Sequence, residues 1–304
     1  MTKQIKTGFI LPDLAEDKLN CWLSSALGQR LGQSPQLISF SNQKLFYWGA
    51  NYFGLDKVKI FQDATGDEQS AILQLCSWEL LEDVYLIEKA GVNYMAKMVL
   101  LSESTEEQML YALFSADEVT HQAQVRPFLP IQPSELQHPL FKFLMGVVAS
   151  NDKAVILFVL LVVLEGWSLS HYRSLAIECR EPKLSLILQG FLRDESGHHG
   201  TGVIMFHRML VSQLSQNAII DTMAEFLQIV QTSQQRIITA IERVMGDLSR
   251  LQKIQVFEEL DTQAQNATRL KFMRSLMRNP NSCGIIQQLE ARGAFVPLPA
   301  YKCL

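Results

Sequence analysis

The sequence predicts an all-α fold: a four-helix bundle made of two helical hairpins, with further helices before and after it. Three observations carry this. Apolar residues recur at helical spacing along most of the chain. The stretch Asp117-Glu118-Val119-Thr120-His121 has a twin in Asp194-Glu195-Ser196-Gly197-His198, and both read D-E-x-x-H. A further glutamate stands 30 residues before the glutamate of each motif, Glu88 before Glu118 and Glu165 before Glu195.

The middle of each interval breaks a helix. Residue 103 falls in Leu101-Ser102-Glu103-Ser104-Thr105 and residue 180 in Cys179-Arg180-Glu181-Pro182. Each pair then folds as an antiparallel hairpin with its two glutamates at one height, roughly 20 Å from the turn at a rise of about 1.5 Å per residue. Residues three apart share a helix face, so each motif aims one carboxylate and one imidazole the same way. Two facing hairpins gather four carboxylates and two imidazoles at one level. Such a set suits a pair of iron or manganese ions. Composition alone predicts only about 0.02 copies of D-E-x-x-H, so two at matched spacing are not a chance pattern.

Residues 1–304 read as a single domain, with an N-terminal extension (1–70), the bundle (71–214), and C-terminal helices with a tail (215–304). In the extension, Asp17–Leu31 carries Leu19, Trp22, Leu23, Ala26 and Leu27 at helical spacing. Ser41–Leu55 repeats the pattern with an aromatic cluster that suits core packing or the wall of a substrate channel. The first bundle helix is expected over Gln69–Leu101. Of its glutamates Glu79, Glu82 and Glu88, only Glu88 matches Glu118 in height. Ser104 and Glu107 form a candidate capping box for the second helix, Thr105–Val125.

Phe128–Pro139 makes the longer crossover between the hairpins, and His138 within it reads as a solvated loop residue. Phe141–Ala149 precedes the third bundle helix, Asp152–Ala176. Its run Ala154–Leu164 has 11 apolar residues. That is short of the ~20 a bilayer span needs, so it is expected to be the most buried helix rather than a membrane segment. Pro182–Leu214 is the fourth helix, with Pro182 at its first position. Two more helices, Asp221–Gly246 and a polar Leu248–Met277, follow; the latter suits an outer helix or a homodimer contact.

A net charge of −4 gives no push toward nucleic acid. Five scattered cysteines without a C-x-x-C favour free thiols and a cytoplasmic location.

A glutamate buried in the third helix needs compensation, because an isolated buried carboxylate is very costly, and a metal supplies it. A metal-bound imidazole usually gives its second nitrogen to a carboxylate. Asp117 is placed to orient His198, and Asp194 to orient His121. Ser168 shares a face with Glu165 and is either a backbone-bonded hydroxyl or a group beside bound oxygen. Leu164, Trp167, His171, Tyr172 and Phe191 are candidate walls of an apolar pocket. His199 faces another way from His198.

Glu88, Glu118-x-x-His121, Glu165 and Glu195-x-x-His198 resemble the ligand set of the ferritin-like diiron-carboxylate superfamily. The aspartate before each E-x-x-H is similar to that of soluble multicomponent monooxygenases and acyl-carrier-protein desaturases. Ser168 resembles the hydroxyl residue that desaturases keep near the oxygen site. The likeness covers roughly residues 70–215. It departs from ribonucleotide reductase small subunits, whose radical tyrosine falls at Val125 and whose first ligand, an aspartate, falls at Glu88. It departs from arylamine N-oxygenases, whose extra histidine falls at Phe191.

The resemblance implies an O₂-dependent oxygenase or oxidase holding two Fe ions, or a manganese–iron pair. It would hydroxylate, desaturate or N-oxygenate a small, fairly apolar substrate. Electrons would come from a ferredoxin or reductase, since the chain carries no flavin, nicotinamide or Fe–S motif. The rival reading is a ferritin-type ferroxidase.

Overall fold

The computed structural model describes residues 46–130 and 138–304, together with Gly28 and Arg30. Among the described residues the regular elements are all helical. The expected helix over Asp17–Leu31 lies outside them apart from Gly28 and Arg30, as do residues 131–137 of the crossover.

Helix α1 spans Gly66–Leu101 and starts before its apolar pattern does. Thr65 accepts from the Glu68 amide, and Glu68 accepts from the Thr65 amide at 2.8 Å, so a capping box sets the start. Helix α2 spans Thr105–Val125. The Ser104 hydroxyl accepts from the Glu107 amide at 3.2 Å, as a cap should. The Glu107 carboxylate does not close the box. It takes the Glu103 amide and the Lys153 ammonium instead, tying the first hairpin to the second.

Helix α3 spans Pro139–Val148. His138 is not the solvated loop residue its surroundings suggested. Its Nδ1 accepts from the Phe141 amide at 3.3 Å, and its Nε2 lies 2.8 Å from Asp83 Oδ1. The imidazole therefore both caps α3 and bonds a carboxylate of α1.

Helix α4 runs through Lys153–Glu178. Its middle, Leu157–Leu164, is a π-helix in which all eight side chains are buried. The last wide turn closes on Glu165, whose amide donates to the Leu160 carbonyl. Glu165 thus begins the ordinary α-helical register at the residue that carries the carboxylate. By length and composition α4 could cross a bilayer, but 78% of its most apolar stretch is enclosed by the protein itself. Helix α5 spans Pro182–Arg208 with Pro182 in its first turn, and ends six residues before the expected Leu214. The chain turns at Met209–Ser212, where the Ser212 hydroxyl caps the next helix.

Helices α1 and α2 lie along each other, as do α4 and α5, and α2 packs on α5, so the two hairpins face one another. The C-terminal half forms a second layer. It comprises α6 (Gln213–Gln231), α7 (Gln235–Met245), α8 (Arg250–Glu259), α9 (Thr262–Leu276) and α10 (Cys283–Ala291). The polar segment expected as one helix over Leu248–Met277 is thus two. Ser249 and Gln252 box the start of α8, and Asp261 takes a left-handed conformation (φ 53°) at the break. Helix α7 covers α1 and α9 covers α4, which removes the third bundle helix from solvent. Ser41–Leu55, expected as a helix, has one helical turn within its described part, Ala50–Phe53. Trp48 donates to the Leu175 carbonyl at 2.9 Å and Tyr47 to the Phe128 carbonyl at 3.0 Å. This aromatic segment is core, locked to the ends of both hairpins.

Helix α5 reaches the π-helix only because residue 202 is glycine. A Cβ there would stand 2.9 Å from the Leu161 carbonyl oxygen, whereas one at Gly200 would meet nothing within 4 Å. Gly202→Ala should therefore cost about 1–3 kcal/mol through overpacking. Gly200→Ala should be neutral or stabilise by up to about 1 kcal/mol through helix propensity. Denaturant midpoints of the two variants check this; equal midpoints would contradict it.

Candidate metal centre

Glu88 on α1, Glu118 and His121 on α2, Glu165 on α4, and Glu195 and His198 on α5 all end in one volume. None is more than 3% exposed. They form two overlapping groups, Glu88–Glu118–His121–Glu195 and Glu118–Glu165–Glu195–His198. In each group one donor atom from every residue lies within 4.8 Å of the others. Glu118 and Glu195 belong to both.

The shared pair divides its oxygens between the two histidines. Glu118 turns Oε2 toward His121 Nδ1 at 3.9 Å and Oε1 toward His198 Nδ1 at 3.1 Å. Glu195 turns Oε1 toward His121 Nδ1 at 3.5 Å and Oε2 toward His198 Nδ1 at 3.4 Å. Glu88 Oε2 lies 3.0 Å from His121 Nδ1. Both imidazoles thus present Nδ1 inward.

Their outer nitrogens face aspartates of the opposite motif. His121 Nε2 is 3.2 Å from Asp194 Oδ2, and His198 Nε2 is 3.7 Å from Asp117 Oδ2. The aspartates in turn meet guanidinium groups, Arg193 at 3.3 Å from Asp194 and Arg30 at 3.5 Å from Asp117. Aromatic rings fix the imidazole planes. Phe191 stacks on His121 with centroids 4.0 Å apart, and Phe114 lies 4.3 Å from His198.

Glycine makes room for one carboxylate. A Cβ on Gly91 would stand 2.6 Å from the Glu118 carboxyl carbon. Two phenols also reach the cluster: Tyr172 donates to Glu88 Oε1, and Tyr94 donates to Glu165 Oε1.

Burial pushes Glu118 and Glu165 well above the carboxylate range, and the charge of Glu195 adds to both shifts. Glu195 moves the other way: burial opposes its charge, but the neighbouring Glu165, His121 and His198 outweigh it. Burial also works against charge on the two imidazoles. The adjacent Asp194, Glu195 and Glu88 nonetheless hold His121 high, and the adjacent Asp117 and Glu118 do the same for His198. The hydrogen bond of His121 is the main cause that lowers Asp194.

This network leaves buried atoms unsatisfied. Glu118 Oε1, Glu195 Oε2 and both ring nitrogens of His198 have no hydrogen-bond partner, and the two oxygens and Nδ1 point into the shared volume. Unpaired buried polar atoms are costly, and a cation in that volume would satisfy these three at once. Four oxygen-donating side chains and two imidazoles are also the donor types that first-row divalent metals accept. The buried groups could therefore hold a metal ion.

The other predicted residues are placed as follows. Ser168 is buried three residues beyond Glu165. Leu164 and Phe191 are buried as well. Trp167 and His171, candidates for the pocket wall, stack on each other at 4.6 Å. His171 is held down to about 4 by burial and by the nearby Arg236 charge, which belongs to the C-terminal layer. Glu79 pairs with Arg243 at 3.3 Å, and neither it nor Glu82 joins either group. His199 packs over Gly166, where a Cβ would meet its ring at 2.8 Å. A surface groove of about 410 Å³ lies beyond the site on α5, lined by Ile204, His207, Arg208 and Arg278 among others.

Sequence reasoning missed Tyr94 and took Tyr172 only as pocket lining. Their partners sit on the other hairpin, where no spacing along the chain reports them. Gly91 carried a signal, since glycine inside a helix is disfavoured without a packing reason.

The chain matches no family model, no curated protein and no solved structure. What defines its class is therefore its own geometry: an all-helical protein with a buried glutamate–histidine cluster able to hold metal.

The shifts predict a pH dependence for the metal-free protein. Glu118, Glu165, His121 and His198 are all held above their ordinary values. Stability from such groups is complete below their unfolded pKa values and is lost as pH rises through the folded ones. Glu195, held low, opposes this only in acid. Metal-free protein should thus lose stability from mildly acidic to alkaline buffer. Metal affinity should rise over the same span, because binding displaces the protons. Calorimetry with metal titrations at each pH checks both. A metal-free Tm that climbs steadily with pH would contradict the assignment.

Proposed function

We propose that this chain is a ferritin-like dinuclear metal oxidoreductase that activates O₂ and oxidises a small, fairly apolar organic molecule. Two iron ions, or a manganese–iron pair, fit the donor set. The observation that carries the reading is the sharing of Glu118 and Glu195, each with one oxygen toward each histidine Nδ1. A single-ion site has no use for that division, whereas two adjacent ions need bridging carboxylates.

Glu88 and His121 would complete one position, and Glu165 and His198 the other. When bound, the reduced metal pair supplies electrons to O₂. The protein's own groups do the rest. Asp194 bonds the outer nitrogen of His121, and Asp117 faces that of His198, the orientation that keeps Nδ1 inward. The carboxylates neutralise the ions' charge. The apolar π-helix and the aromatic rings of Phe114 and Phe191 exclude water, which strengthens every electrostatic contact inside. Ser168, on the Glu165 face of α4, would be the hydroxyl nearest an oxygen-binding side. A ferredoxin or reductase would return the electrons. The C-terminal layer favours an enzyme over a storage protein, since it encloses the site from outside the hairpins.

Metal analysis after anaerobic iron loading should give about two ions per chain. Glu88→Ala or Glu165→Ala should each weaken one position. Glu118→Ala or Glu195→Ala should weaken both, because both positions use them. Loss of one equivalent from all four variants alike would reject the shared geometry. Oxygen uptake coupled to oxidation of an organic molecule separates the enzyme from a ferroxidase, which would mineralise excess iron without one.

A further inference from the structure

We infer that Tyr94 and Tyr172 are positioning residues that fix how the two unshared glutamates meet the metals, and so keep coordination positions open; this rests on the dinuclear reading above.

Each phenol crosses between the hairpins. Tyr94 on α1 donates to Glu165 on α4, and Tyr172 on α4 donates to Glu88 on α1. The arrangement is reciprocal: each hairpin holds the other's unshared carboxylate. Both tyrosines are buried, at 1% and 0% exposure, which shields the bonds from bulk solvent. The Tyr172 ring is wedged edge-on against Phe191 at 5.4 Å, the same ring that stacks on His121. Its hydroxyl therefore has little freedom to leave Glu88.

The consequence lies in which oxygen remains. Glu88 gives Oε1 to the phenol while Oε2 lies 3.0 Å from His121 Nδ1, on the side of the metal donors. Glu165 likewise has Oε1 committed to Tyr94. An oxygen that accepts a phenolic hydrogen bond is a poorer second donor, so each unshared glutamate offers a metal one oxygen. Each position then has four protein donors, one from each of its four residues. First-row metals with oxygen and nitrogen ligands take about six. Positions remain for small molecules, the feature that separates reactive metal sites from structural ones. Without the phenol, the carboxylate is free to bind through both oxygens and close one of those positions. Tyr111 provides the contrast: it is an equally buried phenol whose hydroxyl has no partner.

The test uses the full chain loaded with iron, with Tyr94→Phe, Tyr172→Phe and the control Tyr111→Phe. Two readouts apply: the infrared carboxylate bands, whose antisymmetric–symmetric separation narrows when a monodentate carboxylate becomes bidentate, and the affinity for azide as a probe of open positions. Tyr94→Phe and Tyr172→Phe should keep the wild-type metal content. They should narrow the band separation and weaken azide roughly tenfold, within the range that outer partners of metal ligands command. Tyr111→Phe should change neither. Unchanged bands and azide affinity in both variants overturn the inference, and so does an equal response from Tyr111→Phe. Loss of metal from the variants overturns it too, since the phenols would then hold the ligands in place rather than set their binding mode. A wild-type chain that binds no metal rejects the dinuclear reading itself, a separate outcome.

Discussion

Four carboxylates converge in a core closed to bulk solvent, and the rest of the molecule answers to that fact. Like charges this close cannot all ionise in a low-dielectric interior without a counter-charge. Neighbouring carboxylates hold the two imidazoles above their ordinary pKa, and burial with the Glu195 charge holds Glu118 and Glu165 above theirs. Even so, three inward donor atoms stay unsatisfied. A metal pair, as proposed, would remove the conflict. It would replace protons, satisfy the orphaned atoms and turn mutual repulsion into shared coordination.

The surrounding architecture keeps that cluster dry and fixed. All six side chains come from long helices rather than loops, which gives a more exact geometry. Lys153 ties α4 to Glu107 of α2, and Asp83 on α1 binds both His138 and Arg236. Through Arg236 the C-terminal layer is pinned to α1, five residues from Glu88. Removal of that layer would expose α4, whose apolar stretch would pass for a membrane segment if read alone.

Much of the site was legible because its logic is local. An E-x-x-H on a helix is a statement about one face, and a matched interval around a helix-breaking midpoint is a statement about one hairpin. Both survive without tertiary information. Of the cross-pairing expected from two-fold symmetry, Asp194 bonds His121 at 3.2 Å, whereas Asp117 stands 3.7 Å from His198 Nε2 without a hydrogen bond. What could not be read depends on neighbours. A run of Val, Leu and Phe has the same pattern in an α-helix and in a π-helix, so only packing against Gly202 and its neighbours shows the wider turns of Leu157–Leu164. His138 looked like a loop residue because Asp83 is 55 residues away. The breaks at Met209–Ser212 and Asp261 carry no proline, and the glycine signal is absent at both. Sequence reasoning followed the apolar pattern and missed the Thr65–Glu68 box, which starts α1 at Gly66 and not at the expected Gln69.

The central claim is that Glu118 and Glu195 lie between two adjacent metal ions. X-ray absorption of the iron-loaded protein tests it most directly. A bridged pair should give a metal–metal scattering shell at about 3.5–4 Å, and that shell should disappear in Glu195→Ala. Bound iron with no metal–metal shell, or a shell unchanged by loss of Glu195, would contradict the account.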